Sequence, residues 1–194
     1  MNLQFMFESE ARDMIERAGI NDLLDFLHKS DFYTAPASTR YHGAEECGLV
    51  KHSLAVYRWI FSICFDNNNS KIFPDKLWPT NESMAIVSLF HDLCKINIYK
   101  TAYRNQKNPD TGIWEQVPYY TVQDDSGFGA HGAKSVFLIN QFMRLTEEET
   151  VAIYHHMGAW DKSTYSNPRA AYEKYPLAWL LHVADEAATY ISNT

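Results

Sequence analysis

The feature that most restricts how this chain can fold is an adjacent histidine and aspartate, His91 and Asp92, inside the apolar segment MAIVSLFHDLCKI. Residues 84–98 have the composition of a buried helix, and Thr80 or Asn81 can supply its N-cap. Burying an imidazole beside an ionised carboxylate costs on the order of several kcal/mol unless partners compensate both groups. A divalent cation compensates them together. The segment therefore predicts a helix that contributes two metal ligands to the protein interior.

Two other apolar helical segments carry an ionisable residue. His52 lies in GLVKHSLAVYRWI, and Asp185 lies in WLLHVADEAATYI. Taken singly, His52 has the alternative of a hydrogen-bonded core histidine, and Asp185 has that of a cap or an ion-pair partner. Neighbouring helical side chains diverge by about 100°, so an ion held by His91 and Asp92 needs further ligands from other helices. The combination predicts one metal site where three helices meet.

Most of the sequence has helical periodicity. Gly19 ends one N-terminal helix, and Thr146 and Glu149 have the spacing of a capping box. Helices are predicted at residues 7–18, 21–28, 45–65, 84–98, 131–143, 146–156 and 175–191. These segments predict an all-α fold class.

Residues 99–122 do not share this periodicity. They are rich in Tyr and Thr and surround the turn-like run Asn-Pro-Asp-Thr-Gly, which predicts a small β-hairpin inserted into the helical bundle. The length of 194 residues fits a single domain, 1–194, with N-terminal helices in residues 1–30 and the metal motif in residues 45–191.

Composition limits the classes of partner. The net charge of −7 argues against broad, nonspecific binding to duplex nucleic acid, which requires a basic face. The apolar stretches are too short for a membrane span, and the first ten residues carry no secretory pattern. The three cysteines form no CxxC pair, so reduced thiols and a cytoplasmic location are expected.

The ligand pattern resembles the HD superfamily of metal-dependent phosphohydrolases, whose signature is H…HD…D. The matching residues are His52, His91, Asp92 and Asp185, and the resemblance extends over residues 45–191. It implies a helical HD domain in which water activated by the metal attacks phosphorus. The segment FHDLCKI is similar to the HDxxK form of the family, which implies that Asp92 and Lys95 are catalytic and that Lys95 contacts a substrate phosphate; Cys94 replaces the commoner Gly.

Three more histidines resemble the additional ligands of HD members that bind two metals. They are His131 in GFGAHGAKSV and the pair His155 and His156 in AIYHHMGAW. The resemblance implies a second ion that shares Asp92 as a bridging ligand. Alternatively, His131 caps a helix and one of the paired histidines contacts substrate. Asp161 follows the pair, where related enzymes sometimes place a substrate-facing carboxylate, although a loop or cap role is the simpler explanation.

Nitrogen and oxygen ligands without thiolates suit one or two ions of Mn, Fe, Zn, Co or Ni. Tyr99 and Arg104, together with Lys95, are candidate substrate-binding residues, because aromatic faces stack on bases and cations bind phosphates. The expected partner is a small phosphate ester, chiefly a nucleotide, or a single-stranded nucleic-acid end. The alternative for the hairpin aromatics is simple packing on the core. A homodimer is also compatible with the number of Trp and Tyr residues, which are enriched at interfaces.

Two other functions share the same ligand set. An HD-type di-iron oxygenase would use iron and O₂, and a noncatalytic HD module would bind a nucleotide to regulate a partner. Lys95 favours phosphate chemistry over oxidation, and the complete H…HD…D set favours an active enzyme over a regulatory module.

Overall fold

The computed structural model describes residues 2–65, 78–124, 127–160 and 168–192. Within these ranges the chain forms eight α-helices, two short 3₁₀ segments and one two-stranded antiparallel sheet. The elements are α1 (Leu3–Met14), α2 (Ile20–His28), α3 (Gly48–Cys64), α4 (Asn81–Phe90), β1 (Tyr99–Lys107), β2 (Trp114–Val122), α5 (His131–Asn140), α6 (Glu147–His155), α7 (Arg169–Lys174) and α8 (Pro176–Tyr190). The 3₁₀ segments are Leu93–Lys95 and Gly158–Trp160.

The predicted all-α fold class is wrong, because β1 and β2 pair over their full length, from Tyr99 opposite Val122 to Lys107 opposite Trp114. The protein is mainly helical with a small antiparallel hairpin. The hairpin itself lies where its turn residues predict it. Asn108 Oδ1 accepts hydrogen bonds from the backbone N–H groups of Asp110 and Thr111, and Asn108 O accepts from the Gly112 N–H at 2.9 Å, which closes the turn.

The core forms where α3, α4 and α8 pack together, with α1 covering α3 and α4. Phe7 of α1 is completely buried and contacts the rings of Phe32 and Phe90 at centroid distances of 4.9 and 5.7 Å. The apolar faces that the sequence predicts thus meet in one core. His52 and Asp185 lie on the two helices that pack against the end of α4.

Helix α4 is shorter than predicted. It begins as expected, with Thr80 Oγ1 accepting from the Ser83 N–H at 3.0 Å, but it ends at Phe90 rather than continuing to residue 98. Asp92 leaves the helical conformation at φ −104° and ψ 19°, and a 3₁₀ turn follows. The 100° divergence of helical neighbours therefore does not apply to His91 and Asp92, and both side chains can face the same point.

The partly exposed Arg17 pairs with the buried carboxylate of Glu149 and with Glu82, which connects the N-terminal region to α4 and α6. Arg17 Nη2 donates to Glu149 Oε1 at 2.9 Å and to Glu82 Oε2 at 3.0 Å. Ser83 Oγ donates to Glu149 Oε1 at 2.7 Å, and the predicted capping box of Thr146 and Glu149 is confirmed. Burial alone would raise the pKa of Glu149, but these hydrogen bonds and the Arg17 charge hold it below its ordinary value.

Helices α5 and α6 approach closely at Gly132. A Cβ atom at this position would lie 2.5 Å from Ile153 O and 2.6 Å from the Tyr154 Cα, both of which are backbone atoms. We expect Gly132→Ala to lower the free energy of unfolding by about 1–3 kcal/mol, because the two helices must separate. Urea denaturation measures this. Gly129→Ala is the control, since a Cβ atom added there would meet none of the described atoms within 4 Å, and an equal loss in both variants would contradict the prediction.

Among the residues that the structure describes, no helix combines the length and apolar character needed to cross a membrane.

Candidate metal centre

The four residues of the H…HD…D pattern converge in the core. His52 and His91 are completely buried, and Asp92 and Asp185 are nearly so. His52 Nε2 lies 3.0 Å from Asp185 Oδ1 and 3.7 Å from Asp92 Oδ2. His91 Nε2 lies 3.4 Å from Asp92 Oδ2 and 3.9 Å from Asp185 Oδ1. Three packed elements thus bring two imidazoles and two carboxylates to one point.

His156 joins this cluster from the end of α6. It is completely buried, and its Nε2 lies 3.6 Å from Asp92 Oδ1, the carboxylate oxygen that does not face His91. Its ring centroid lies 5.0 Å from that of His91. Two overlapping groups of potential ligands result, each with its donor atoms within 4.8 Å of one another. They are His52, His91 and Asp185, and His91, Asp92 and His156.

Backbone carbonyls orient two of these histidines. His91 Nδ1 lies 3.0 Å from Ser88 O, and His156 Nδ1 lies 2.7 Å from Ile153 O. A carbonyl can only accept, so each Nδ1 carries the proton and donates it. In the neutral ring this tautomer leaves a lone pair on Nε2, pointed into the cluster.

The Nε2 atoms of all three histidines are buried and have no hydrogen-bond partner among the described residues. His52 Nε2 is close to Asp185, but their mutual orientation does not form a hydrogen bond. Lone pairs of nitrogen and carboxylate oxygen repel one another at this range unless a cation lies between them. Ligands held at about 2.1 Å from one ion are separated by about 3.0–3.4 Å at angles of about 90–109°, which is close to the observed separations. The residues therefore fit a divalent metal ion.

Contacts within the cluster shift the pKa values of Asp92, Lys95 and Asp185. Burial raises the pKa of Asp92, but Lys95 and His91 lower it more, so the net pKa is well below its usual value. Lys95 Nζ lies 2.6 Å from Asp92 Oδ2, and this carboxylate raises the pKa of Lys95 despite its burial. The pKa of Asp185 is also lowered, because His52 and His91 outweigh its burial. Both carboxylates are ionised at neutral pH, which favours a cation.

The cluster opens onto a cleft of about 680 Å³. Asp92, Lys95 and Asp185 form part of its wall, and the exposed rings of Tyr41 and Trp160 lie along its rim. The cleft thus gives a small molecule access to the ligand cluster from one side.

His42 is a cleft residue that the sequence did not single out. Its ring centroid lies 5.1 Å from that of His52, and it lines the same cleft as Asp92. Burial, followed by the charges of His52 and Lys95, lowers the pKa of His42 to about 4. His42 comes from an irregular loop without periodicity, so only its tertiary position reveals it.

Two of the predicted additional ligands lie outside both groups. His131 begins α5 and lines the cleft, and its Nδ1 is 3.6 Å from Cys94 Sγ. The ring of His155 packs on that of Tyr154 at 4.9 Å. Among the described residues, neither histidine belongs to a ligand group of three or more. A role for them in holding a second ion stays a prediction, and Asp161 lies outside the described residues.

Tyr99 and Arg104, the predicted substrate-binding residues of the hairpin, do not line the metal cleft. The Tyr99 hydroxyl donates to Ala37 O at 3.1 Å, which fastens the hairpin to the loop before α3. The Arg104 guanidinium lies 5.5 Å from the centre of the Tyr119 ring, in the wall of a second cleft. In the part of the chain that the structure describes, Lys95 is thus the one predicted substrate residue that lines the metal cleft.

Comparison with known proteins finds no family model, no curated protein and no solved structure that matches this chain. The structure alone therefore supports the statement that a buried cluster of His and Asp residues could hold a metal ion. This cluster is compatible with an HD-type site.

Proposed function

We propose that this protein is a metal-dependent phosphohydrolase of the HD type that cleaves a phosphomonoester or phosphodiester bond in a nucleotide-like substrate. One observation carries the proposal. Three buried Nε2 atoms, which have no hydrogen-bond partners in the described part of the chain, converge on two ionised carboxylates at the wall of an accessible cleft.

Five residues would hold the ion: His52, His91, Asp92, His156 and Asp185. A divalent cation bound there supplies Lewis acidity, which lowers the pKa of water and offsets negative charge on phosphoryl oxygens. The backbone hydrogen bonds of His91 and His156 keep both rings in the tautomer and orientation needed for binding.

Lys95 places a positive charge beside the ligand cluster. Its ammonium group contacts Asp92 and also lines the cleft, so an entering phosphoryl group would meet a fixed cation next to the metal ligands. The rings of Tyr41 and Trp160 at the rim offer exposed apolar faces on which a nucleobase can stack. Together these features support a phosphorylated aromatic substrate.

Lys95 also distinguishes this proposal from the oxygenase alternative. A fixed ammonium group in the cleft stabilises an anionic substrate, whereas activation of O₂ has no need of it. A noncatalytic module would bind the same anion but would leave it intact.

Metal content and phosphate release from the purified protein test the proposal directly. The metal-free protein is supplied separately with Mn²⁺, Fe²⁺, Co²⁺, Ni²⁺ or Zn²⁺ and assayed on mononucleotides, cyclic nucleotides and short oligonucleotides, with oxygen consumption recorded in parallel. We expect stoichiometric metal and metal-dependent ester cleavage. Substrate oxidation with oxygen uptake would support the oxygenase instead. Failure to bind any of the five metals would contradict the metal centre itself.

Lys95→Met is expected to lower kcat/KM about 10- to 100-fold while the metal is retained. The reason is that a charge-assisted hydrogen bond to substrate contributes about 1.5–3 kcal/mol, whereas Asp92 keeps its ligand atoms in the variant. Steady-state kinetics and metal analysis measure the two effects. Lys100→Met removes an exposed cation from the neighbouring strand and should leave kcat/KM unchanged. Equal kinetics in wild type and Lys95→Met would exclude a substrate role for Lys95.

A further inference from the structure

A second cleft, of about 700 Å³, lies between the β-hairpin and the loop of residues 39–45. Arg40 contributes to the loop side, and Arg104, Tyr119 and Tyr120 contribute to the hairpin side. The metal cleft has a different wall: Tyr41, His42 and Gly43 of the same loop line that cleft, and no ligand of the metal cluster lines the second one. The loop therefore separates two cavities.

The charges of the second cleft favour an anion. The ion pairs found among the described residues include neither Arg40 nor Arg104, and the Arg104 guanidinium donates to the neutral side chain of Gln106. Glu45 also lines the cleft, but it is ion-paired with Lys51. Arg40 and Arg104 thus contribute positive charge from opposite sides of the cleft, and they attract a negatively charged group.

The aromatic walls and the volume of the cleft favour a ligand that is larger than a simple anion and has a planar ring. Arg104 lies over the Tyr119 ring, which holds the planar guanidinium in place as a stacking surface. Tyr120 adds a second aromatic ring to the wall. A cavity of about 700 Å³ is far larger than a phosphate ion and falls within the range of about 300–1,000 Å³ typical of small-molecule sites.

The loop that carries Arg40 is held by hydrogen bonds. Ser38 Oγ accepts from the Tyr41 N–H at 2.9 Å and donates to His42 O at 2.8 Å. The Ala37 N–H donates to Gly43 O, also at 2.8 Å. These hydrogen bonds fix the loop by contacts within the chain, which lowers the entropic cost of binding.

We infer that this second cleft binds a nucleoside phosphate independently of the metal centre, with the phosphates between Arg40 and Arg104 and the base against the tyrosines. The inference does not depend on the proposed hydrolase function. It assigns Arg104 to a separate nucleotide site instead of the metal cleft.

Fluorescence titration with mant-ADP, in EDTA and without added metal, tests this site. We expect saturable binding to the wild type, at least 10-fold weaker binding to Arg40→Ala and Arg104→Ala, and unchanged binding to Lys107→Ala. Lys107 is the matched control, because it is an exposed cation on the same hairpin that does not line the cleft. Asp92→Asn changes the metal cluster and removes the ion-pair partner of Lys95, but neither residue lines the second cleft, so this variant should bind mant-ADP as the wild type does.

Competition separates the ligand classes. Unlabelled ADP should displace the probe at least 10-fold better than adenosine or inorganic pyrophosphate. Equal displacement by pyrophosphate would overturn the nucleotide assignment in favour of a plain anion site. Wild-type binding by Arg104→Ala, loss of binding in Asp92→Asn, or no saturable binding would overturn the inference altogether. The titration contains EDTA and no added metal, so its result does not depend on whether the metal centre binds an ion. The nucleotide-site inference and the hydrolase proposal can therefore be contradicted independently.

Discussion

Replacing Asp92 with asparagine is expected to abolish stoichiometric metal binding and phosphate release together. Asp92 faces His52, His91 and His156 through its two oxygens, so it contacts histidines of both ligand groups, although it belongs only to the group of His91 and His156. Asparagine keeps the shape but loses the charge and one acceptor oxygen. Since loss of a supporting partner alone weakens metal affinity about 10- to 100-fold, loss of this ligand should weaken it by at least about 100-fold.

Metal analysis and calorimetric titration measure the affinity, and phosphate release measures the activity. Asp25→Asn is the matched control, because Asp25 is an exposed carboxylate on α2. Asp92→Asn also removes the partner of Lys95, so Asp185→Asn serves as a second variant that keeps this ion pair. Circular dichroism shows whether each variant is folded. A folded Asp92→Asn protein with wild-type metal affinity would remove Asp92 from the centre.

Replacing Arg17 with methionine is expected to lower the free energy of unfolding by about 3–5 kcal/mol, a large share of the stability of a domain this size. Glu149 is completely buried, and Arg17 is its cationic partner. The variant leaves an ionised carboxylate in the core, and its remaining partners among the described residues are Ser83 and the Thr146 N–H. Urea denaturation measures the loss.

Arg12→Met is the matched control, because Arg12 is 46% exposed in its i, i+4 pair with Glu8 on α1, and Glu8 keeps Gln4 and Tyr33 as hydrogen-bond partners. Such pairs contribute about 0.3–0.5 kcal/mol. The pH dependence has a defined sign. Because the folded pKa of Glu149 is lowered, the stability that its ionised form contributes is present above its ordinary pKa near 4.5 and is lost as pH falls further. The difference between wild type and Arg17→Met should therefore shrink in acid, and a difference that grows there would contradict the ion-pair explanation.

Periodicity and turn chemistry predicted the hairpin and seven of the eight helices in the described residues, because both depend on local sequence, but α7 was missed. The predicted end of α1 at Gly19 is wrong, because α1 ends at Met14 and Gly19 is the N-cap of α2. The all-α class was wrong, because the predicted hairpin forms a paired two-stranded sheet and makes the fold mainly helical rather than all-α. The end of α4 could not be predicted, since neither Gly nor Pro follows Phe90 and the apolar pattern continues to Ile98. Packing, rather than local preference, turns the chain at Asp92.

In the candidate site too, some residues could be predicted from local sequence and others depend on tertiary packing. Burial of an ionisable residue in an apolar helix pointed to His52, His91, Asp92 and Asp185, and the structure brings all four together. The choice between His155 and His156 depends on where α6 ends, which sequence locates only to within a few residues. His42 comes from a loop, and nothing local distinguishes a loop histidine beside a cleft from one in solvent.

The lengths of α4 and α6 determine where the side chains of two candidate metal ligands point. His91 and His156 are both the C-cap residue of their helix, and each bonds to the carbonyl three residues before it, which the helix end leaves without an intrahelical donor. No other side chain is needed to aim either ring. Removing a single residue from α4 or α6 would swing its histidine by about 100° around the helix axis. These two helices should therefore tolerate changes of amino-acid type on their surfaces far better than insertions or deletions.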